Sequence, residues 1–300
     1  MRLRASEWLL LAYFFYVAIL TFFFPARPHL SDRPVYALGL AAFVIVTLAA
    51  AERFHPIFNM VRDWTPLAFT LGAFREMDWF TPSRYALGWE HAWLRWDGWV
   101  LTRLGLARAL GALGPVVPAY LELCYLLVYS IGAFCVLTIW MVHRRPVVDR
   151  WMVVYLTGTL LAYGLFPFFP TMPPRMLADP AVAVTWLRGW NLWLLDSATI
   201  HSSVFPSAHV SSAFSAAWGL FVALPKRREF AWGMLFYACS VSIATIYGRY
   251  HYTADVVAGF GASLVAAAVA MGVRAGAASV TTGTERRQTE RAPAADRTAS

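Results

Sequence analysis

Three short stretches hold the residue types that do chemistry. "GRYHYTAD" (248–255) carries Arg249, His251 and Asp255 between two long apolar runs. "FPSAHVSS" (205–212) carries Ser207 and His209, and "FPTMPPRM" (169–176) carries Arg175. On a helix, His251 and Asp255 lie one above the other, at i and i+4. A carboxylate behind an imidazole fixes its tautomer and raises its basicity, as a nucleophile or base requires. Pro206 favours a helix start that includes Ser207 and His209, and a helix N-terminus offers free N–H groups and a positive dipole end to a phosphate. Arg175 and Arg249 each present a fork that matches phosphate oxygens. Together these are the parts of a phosphoryl-transfer site, in which one histidine attacks phosphorus and the other protonates the leaving oxygen. Taken singly they have plainer readings: Arg249 as a snorkelling anchor, His209 as an interfacial histidine, His201 as a loop residue. A metal set of His201, His209, His251 and Asp255 is the other chemical alternative, and the neighbouring arginines would repel its cation.

These residues are far apart in sequence, so the surrounding elements must bring them together. The 300-residue chain is 59% hydrophobic and 14% charged, with a mean hydropathy of +0.53. A soluble domain carries about a quarter charged residues, so the composition indicates a membrane protein. Apolar runs at 7–24, 35–51, 117–141, 151–169, 207–224, 230–248 and 253–273 are long enough to cross a bilayer, and a backbone facing lipid must be helical. The first run has no small-residue cleavage site behind it and reads as a retained span. The formal charge of +8 sits mainly on arginines in short loops and a tail, which fits the positive-inside rule better than nucleic-acid binding. Arg144, Arg145 and Arg150, then Lys226, Arg227 and Arg228, then Arg274 share one side by parity, the cytoplasmic one. Residues 170–206 and 248–252 then share the other side, so the three polar stretches converge on one non-cytoplasmic face. Seven spans would leave the start of the chain outside, whereas Arg2 and Arg4 favour the inside. One further crossing within 57–80 removes that conflict.

The remaining segments are less specific. Residues 93–113 have apolar residues at helical spacing with arginines between them, as in a helix lying in the interface, and Trp93, Trp96 and Trp99 suit a headgroup-level belt. The loop 170–200 reads as a partly buried cap. Cys124, Cys135 and Cys239 lie in apolar runs without metal-like spacing and read as small buried hydrophobes. Ser211, Ser212, Ala213, Ser215, Ala216 and Gly219 read as a close-packing helix surface. The tail from Ala275 is polar and small, and is expected to be disordered.

At its polar stretches the chain resembles the type 2 phosphatidic acid phosphatase superfamily. "PPR" (173–175), "PSAH" (206–209) and "HYTAD" (251–255) follow the order of that family's three motifs over roughly 165–273. "FPSAHV" and the His-Tyr-Thr-x-Asp form are most similar to the branch of inositol phosphorylceramide and sphingomyelin synthases. The resemblance implies that His251 is the nucleophile of a phosphohistidine, oriented by Asp255. It implies that His209 is the general acid and then the base, and that Arg175 and Ser207 hold the phosphate. The chain departs from the family at Ala208, where the motif has glycine, and has no motif lysine near Arg175. Thr245 stands where the third-motif arginine belongs, which leaves Arg249 as the candidate for that role.

These readings add up to an all-α polytopic membrane bundle with a six-helix phosphatase-like core. Residues 1–115 form N-terminal spans and an interfacial region, 116–274 the catalytic core, and 275–300 a cytoplasmic tail. The expected function is lipid phosphatase or phosphotransferase, without metal or cofactor. The partners are a phosphorylated lipid, membrane lipids and an acceptor that is water or an alcohol such as inositol; no nucleic acid is expected. Arginine- and alanine-rich composition suggests a bacterial inner or plasma membrane. The competing class is a transporter or scaffold with a polar ion or ligand site, and discontinuous spans in matching halves would mark it.

Overall fold

A computed structural model of the chain describes residues 2–24, 32–142, 147–178, 185–198 and 200–291, the side chains of 274–291 excepted. Arg144, Arg145 and residues 292–300 of the expected tail lie outside the described residues. Helices run over Ala5–Leu20 (α1), Arg33–Ala51 (α2), Ile57–Glu76 (α3), Gly88–Gly98 (α4), Leu106–Ala112 (α5), Val116–Leu127 (α6) and Ile131–Val142 (α7). They continue over Val148–Leu165 (α8), Trp186–Ala198 (α9), Ala208–Ala223 (α10), Arg228–Tyr247 (α11) and Thr253–Arg291 (α12). No strand occurs among the described residues. Arg33–Ala51, Val116–Val142, Val148–Phe168, Arg228–Tyr247 and Thr253–Val273 are long and apolar enough to cross a membrane, and α1 and α10 are shorter apolar helices. The protein is therefore a polytopic helical bundle that fits an integral membrane protein.

Small residues put α10 at the centre, packed on α8, α11 and α12. Ser211 Oγ donates to the Gly158 carbonyl of α8 at 2.8 Å, and Trp151 Nε1 donates to the Ala216 carbonyl at 3.2 Å. A Cβ at Gly158 would run into the Ser215 side chain, so the two helices touch only because that position is glycine. The small-residue face of 211–219 is thus a packing surface, as its composition indicates.

The first three helices pack against this core in a fixed sense. At one end Ser6 Oγ bonds Asp149 at the start of α8 at 2.5 Å, Arg4 pairs with Asp63 at 2.6 Å, and Arg62 pairs with Glu7 at 2.6 Å and with Glu52. Trp140, near the end of α7, donates to Asp63 at 3.1 Å. At the opposite end Tyr16 donates to the Gly164 carbonyl at 2.6 Å, and Phe74 lies 5.5 Å from Tyr163. So α1, α3 and α8 run parallel, and α3 traverses the bundle. α3 occupies the 57–80 segment but is not among the helices long and apolar enough to cross a membrane, and the start of α1 lies at the same end as the start of α8. Arg62 and Asp63 sit inside the bundle because each has its counterion there.

The single interfacial helix expected over 93–113 is instead broken. A π-turn at Trp99–Arg103 and Gly105, at φ +76°, separate α4 from α5. In the 170–200 cap, α9 packs on α6; residues 179–184 and 199 lie outside the described residues. The backbone of α12 continues as helix to Arg291.

Candidate active site

The corner between α11 and α12 is built by backbone bonds. The N–H groups of Tyr250 and His251 both donate to the Thr245 carbonyl, at 2.9 and 3.1 Å, which closes the last turn of α11. Arg249 takes the left-handed conformation, at φ +59°, that lets the chain reverse. The new helix starts at Thr253, so His251 precedes it and Asp255 lies in its first turn. Asp255 Oδ2 accepts from the Tyr252 N–H at 3.0 Å, half of a capping box, and from His251 Nδ1 at 3.2 Å. His251 Nδ1 also faces the Val204 carbonyl at 3.0 Å. Both partners only accept, so Nδ1 carries the proton and Nε2 keeps a free lone pair. Burial pushes the His251 imidazole down to about 3; the Val204 carbonyl opposes this and the Arg175 guanidinium adds to it.

His209 comes from the first turn of α10. Ser207 is the N-cap, and its hydroxyl accepts from the Val210 N–H at 3.4 Å. The Ser207 N–H donates to the Asp255 carbonyl at 2.9 Å. A Cβ at Gly259 would strike the Ser207 backbone, so glycine there lets α12 approach the start of α10. The His209 and His251 rings meet edge to face, with centroids 5.4 Å apart.

Arg175 is delivered by a loop with several ties. Thr171 Oγ1 lies 3.1 Å from Ser203 Oγ, the Met172 N–H donates to Glu90 at 3.0 Å, and Tyr252 donates to the Met172 carbonyl at 2.8 Å. A short 3₁₀ turn over Pro174–Met176 then points Arg175 into a cavity of about 40 Å³ that it lines with His209, His251, Tyr125 and Tyr129. Among the described residues Arg175 has no ion-pair partner.

Arg175, His209, His251 and Asp255 therefore come together. Two other predicted residues are placed differently. Ser207 is buried and its hydroxyl is engaged as the helix cap. Arg249 does not line the cavity; its guanidinium pairs with Asp97 of α4 at 3.4 Å. The reason is charge: Asp97 is fully buried, also accepts from the Thr253 N–H at 2.8 Å, and needs a cation. His201 contacts Asp78 at 3.3 Å, so the four-residue metal set is not assembled.

Several supporting residues have no signal in the motifs. Glu90 and Asp97 lie on one face of α4 and hold the loop of Arg175 and the corner of His251, respectively. Behind the corner, Glu122 binds Arg188 at 3.1 Å, Asn191 at 2.6 Å and the Tyr250 hydroxyl at 2.5 Å, and Tyr250 stacks on Tyr125 at 3.8 Å. Glu122 in the apolar run "YLELCYLL" was the available hint, since a lone carboxylate there needs a partner.

A family model described as the PAP2 superfamily matches residues 91–269, which takes in most of α4 and everything from there to the middle of α12. The match starts well upstream of the three motifs. Neither the curated proteins nor the solved structures include a significant match.

Proposed function

Since the chain belongs to the PAP2 superfamily, we propose that it is a membrane-embedded lipid phosphatase or phosphotransferase working through a phosphohistidine. The observation that carries this reading is an unpaired arginine beside two histidines in one cavity, one of them held by a carboxylate with its far nitrogen free. An arginine without a counterion invites an anion, and its fork suits phosphate oxygens.

His251 Nε2 gives its lone pair to phosphorus, and the bond from phosphorus to the leaving oxygen breaks as His209 donates a proton to that oxygen. The imidazole then shares its Nδ1 proton with Asp255 and the Val204 carbonyl, which spreads the positive charge. Arg175 and the free N–H groups at the start of α10 hold the non-bridging oxygens; Ser207 contributes by shaping that helix start. In the second half His209 takes the proton of an acceptor hydroxyl, whose oxygen attacks phosphorus and returns the electron pair to Nε2. The acceptor is water or an alcohol such as inositol, and the His-Tyr-Thr-x-Asp form favours transfer. The positive-inside reading of the arginine-bearing loops supports a site on the non-cytoplasmic face, and the arginine- and alanine-rich composition supports a bacterial membrane. In this reading Arg249 holds the corner in place through Asp97 rather than binding phosphate.

The test uses purified protein with a panel of lipid phosphates, with and without inositol. Phosphate release that disappears in His251→Ala supports the reading, and label from the donor lipid appearing on inositol identifies transfer. Undiminished release by His251→Ala overturns it.

A further inference from the structure

The two histidines are supported unequally. His251 has Asp255 behind it, but His209 has no carboxylate. Among the described residues the one hydrogen bond made by its ring joins Nε2 to the Tyr129 hydroxyl, at 3.4 Å. The Tyr129 ring also lies edge-on to His209, with centroids 5.3 Å apart. Tyr129 belongs to none of the three motifs and comes from a different part of the bundle. The long span Val116–Val142 is interrupted by a 3₁₀ turn at Val128–Ser130, and Tyr129 is the middle residue of that turn. Such mid-helix interruptions re-aim side chains and recur at functional sites. Tyr129 is 43% exposed while it lines the cavity, so it stands at the rim of the cavity.

We propose that Tyr129 is the positioning residue of His209: its hydroxyl accepts from the Nε2–H of the imidazolium and so orients the ring, while the Nδ1 proton passes to the leaving oxygen. The proposal rests on the phosphoryl-transfer reading above. No atom is gained or lost through Tyr129: the leaving oxygen takes one proton from His209 Nδ1, Nε2 keeps its own, and the hydroxyl keeps its hydrogen. An imidazole without a fixed orientation is a poor acid toward an alkoxide leaving group. It matters little to a group that leaves without a proton. Tyr129 therefore sets the rate for lipid phosphates and not for activated aryl phosphates.

The experiment compares wild type, Tyr129→Phe and His209→Gln on phosphatidic acid and p-nitrophenyl phosphate, and reads the rate of first-product release before turnover. Phenylalanine keeps the ring and removes only the hydroxyl, so the fold is conserved. Tyr129→Phe is expected to slow diacylglycerol release by roughly 10- to 100-fold, below the full range for losing a general acid. It should leave p-nitrophenolate release within about twofold and KM for phosphatidic acid unchanged, on the same principle. His209→Gln should show the same selectivity, more strongly. Equal slowing with both donors, a raised KM with unchanged rate, or no change overturns the proposal. If wild type forms product from neither these donors nor any member of the lipid-phosphate panel, the phosphoryl-transfer reading itself falls, and the proposal with it.

Discussion

Removing the Arg175 side chain should cripple phosphoryl transfer. Among the described residues the cavity is lined by no other arginine or lysine, and Arg249 is bound to Asp97. A phosphate entering it meets one guanidinium, whose fork makes two charge-assisted hydrogen bonds worth about 1.5–3 kcal/mol each. At about 1.4 kcal/mol per decade, Arg175→Ala should lower kcat/KM by roughly a thousandfold, in line with the loss of an oxyanion donor. Arg175→Lys keeps the charge and loses the fork, so a loss of about 10- to 100-fold is expected. A second consequence follows from proximity. Arg175 helps to push the His251 proton affinity down, so Arg175→Ala should let the pKa of His251 rise from about 3 while burial still holds it below its ordinary value. The acid limb of the activity profile should then move to higher pH. The assay is phosphate release from phosphatidic acid in detergent, measured from below the His251 pKa of about 3 to above its ordinary value. Activity of Arg175→Ala within about fivefold of wild type refutes the claim that this arginine carries the phosphate.

Other expectations follow from the same contacts. Asp255→Asn replaces an acceptor with a group that can donate to His251 Nδ1, which drives the proton to Nε2 and removes the nucleophile; kcat should drop by about 10²–10⁴-fold with lipid binding retained. Asp97→Asn leaves Arg249 buried without its counterion and weakens the start of α12, so thermal unfolding in detergent should show a loss of about 3 kcal/mol alongside lower kcat. His251 also makes stability pH-dependent. Its folded pKa is lowered, so below about pH 6.5 the unfolded chain takes up a proton that the folded chain refuses until about pH 3. Stability present above pH 6.5 should be lost as pH falls, by up to about 1.4 kcal/mol per unit from this group, and His251→Gln should flatten that slope.

The parts of the site that were legible in the sequence are those whose logic is local. His251 and Asp255 are one helical turn apart, Ser207 and His209 share a helix start, and loop parity brings both to the face of Arg175. What stayed hidden depends on distant partners. Arg249 reads as a phosphate ligand because it stands two residues from His251, yet its partner Asp97 lies 152 positions away. Asp97 falls within the stretch read as an interfacial helix and Glu90 just before it, whereas α4 turns both inward. The traverse of the bundle by α3 was suggested only by the charge conflict at the start of the chain. Its own composition, with Arg62, Asp63, Pro66, Arg75 and Glu76, masks it, and Arg62 and Asp63 are neutralised by residues of other helices. Tyr129 has no signature at all, since a tyrosine in an apolar span is ordinary until a histidine is found beside it.

The central claim is that His251 becomes phosphorylated during turnover. Wild-type protein given phosphate-labelled phosphatidic acid and quenched in alkali should carry an acid-labile label on the peptide containing His251. The label should be absent from His251→Gln and should turn over when water or an alcohol acceptor is supplied. Phosphate release with no label at His251, or label that persists in His251→Gln, contradicts the account.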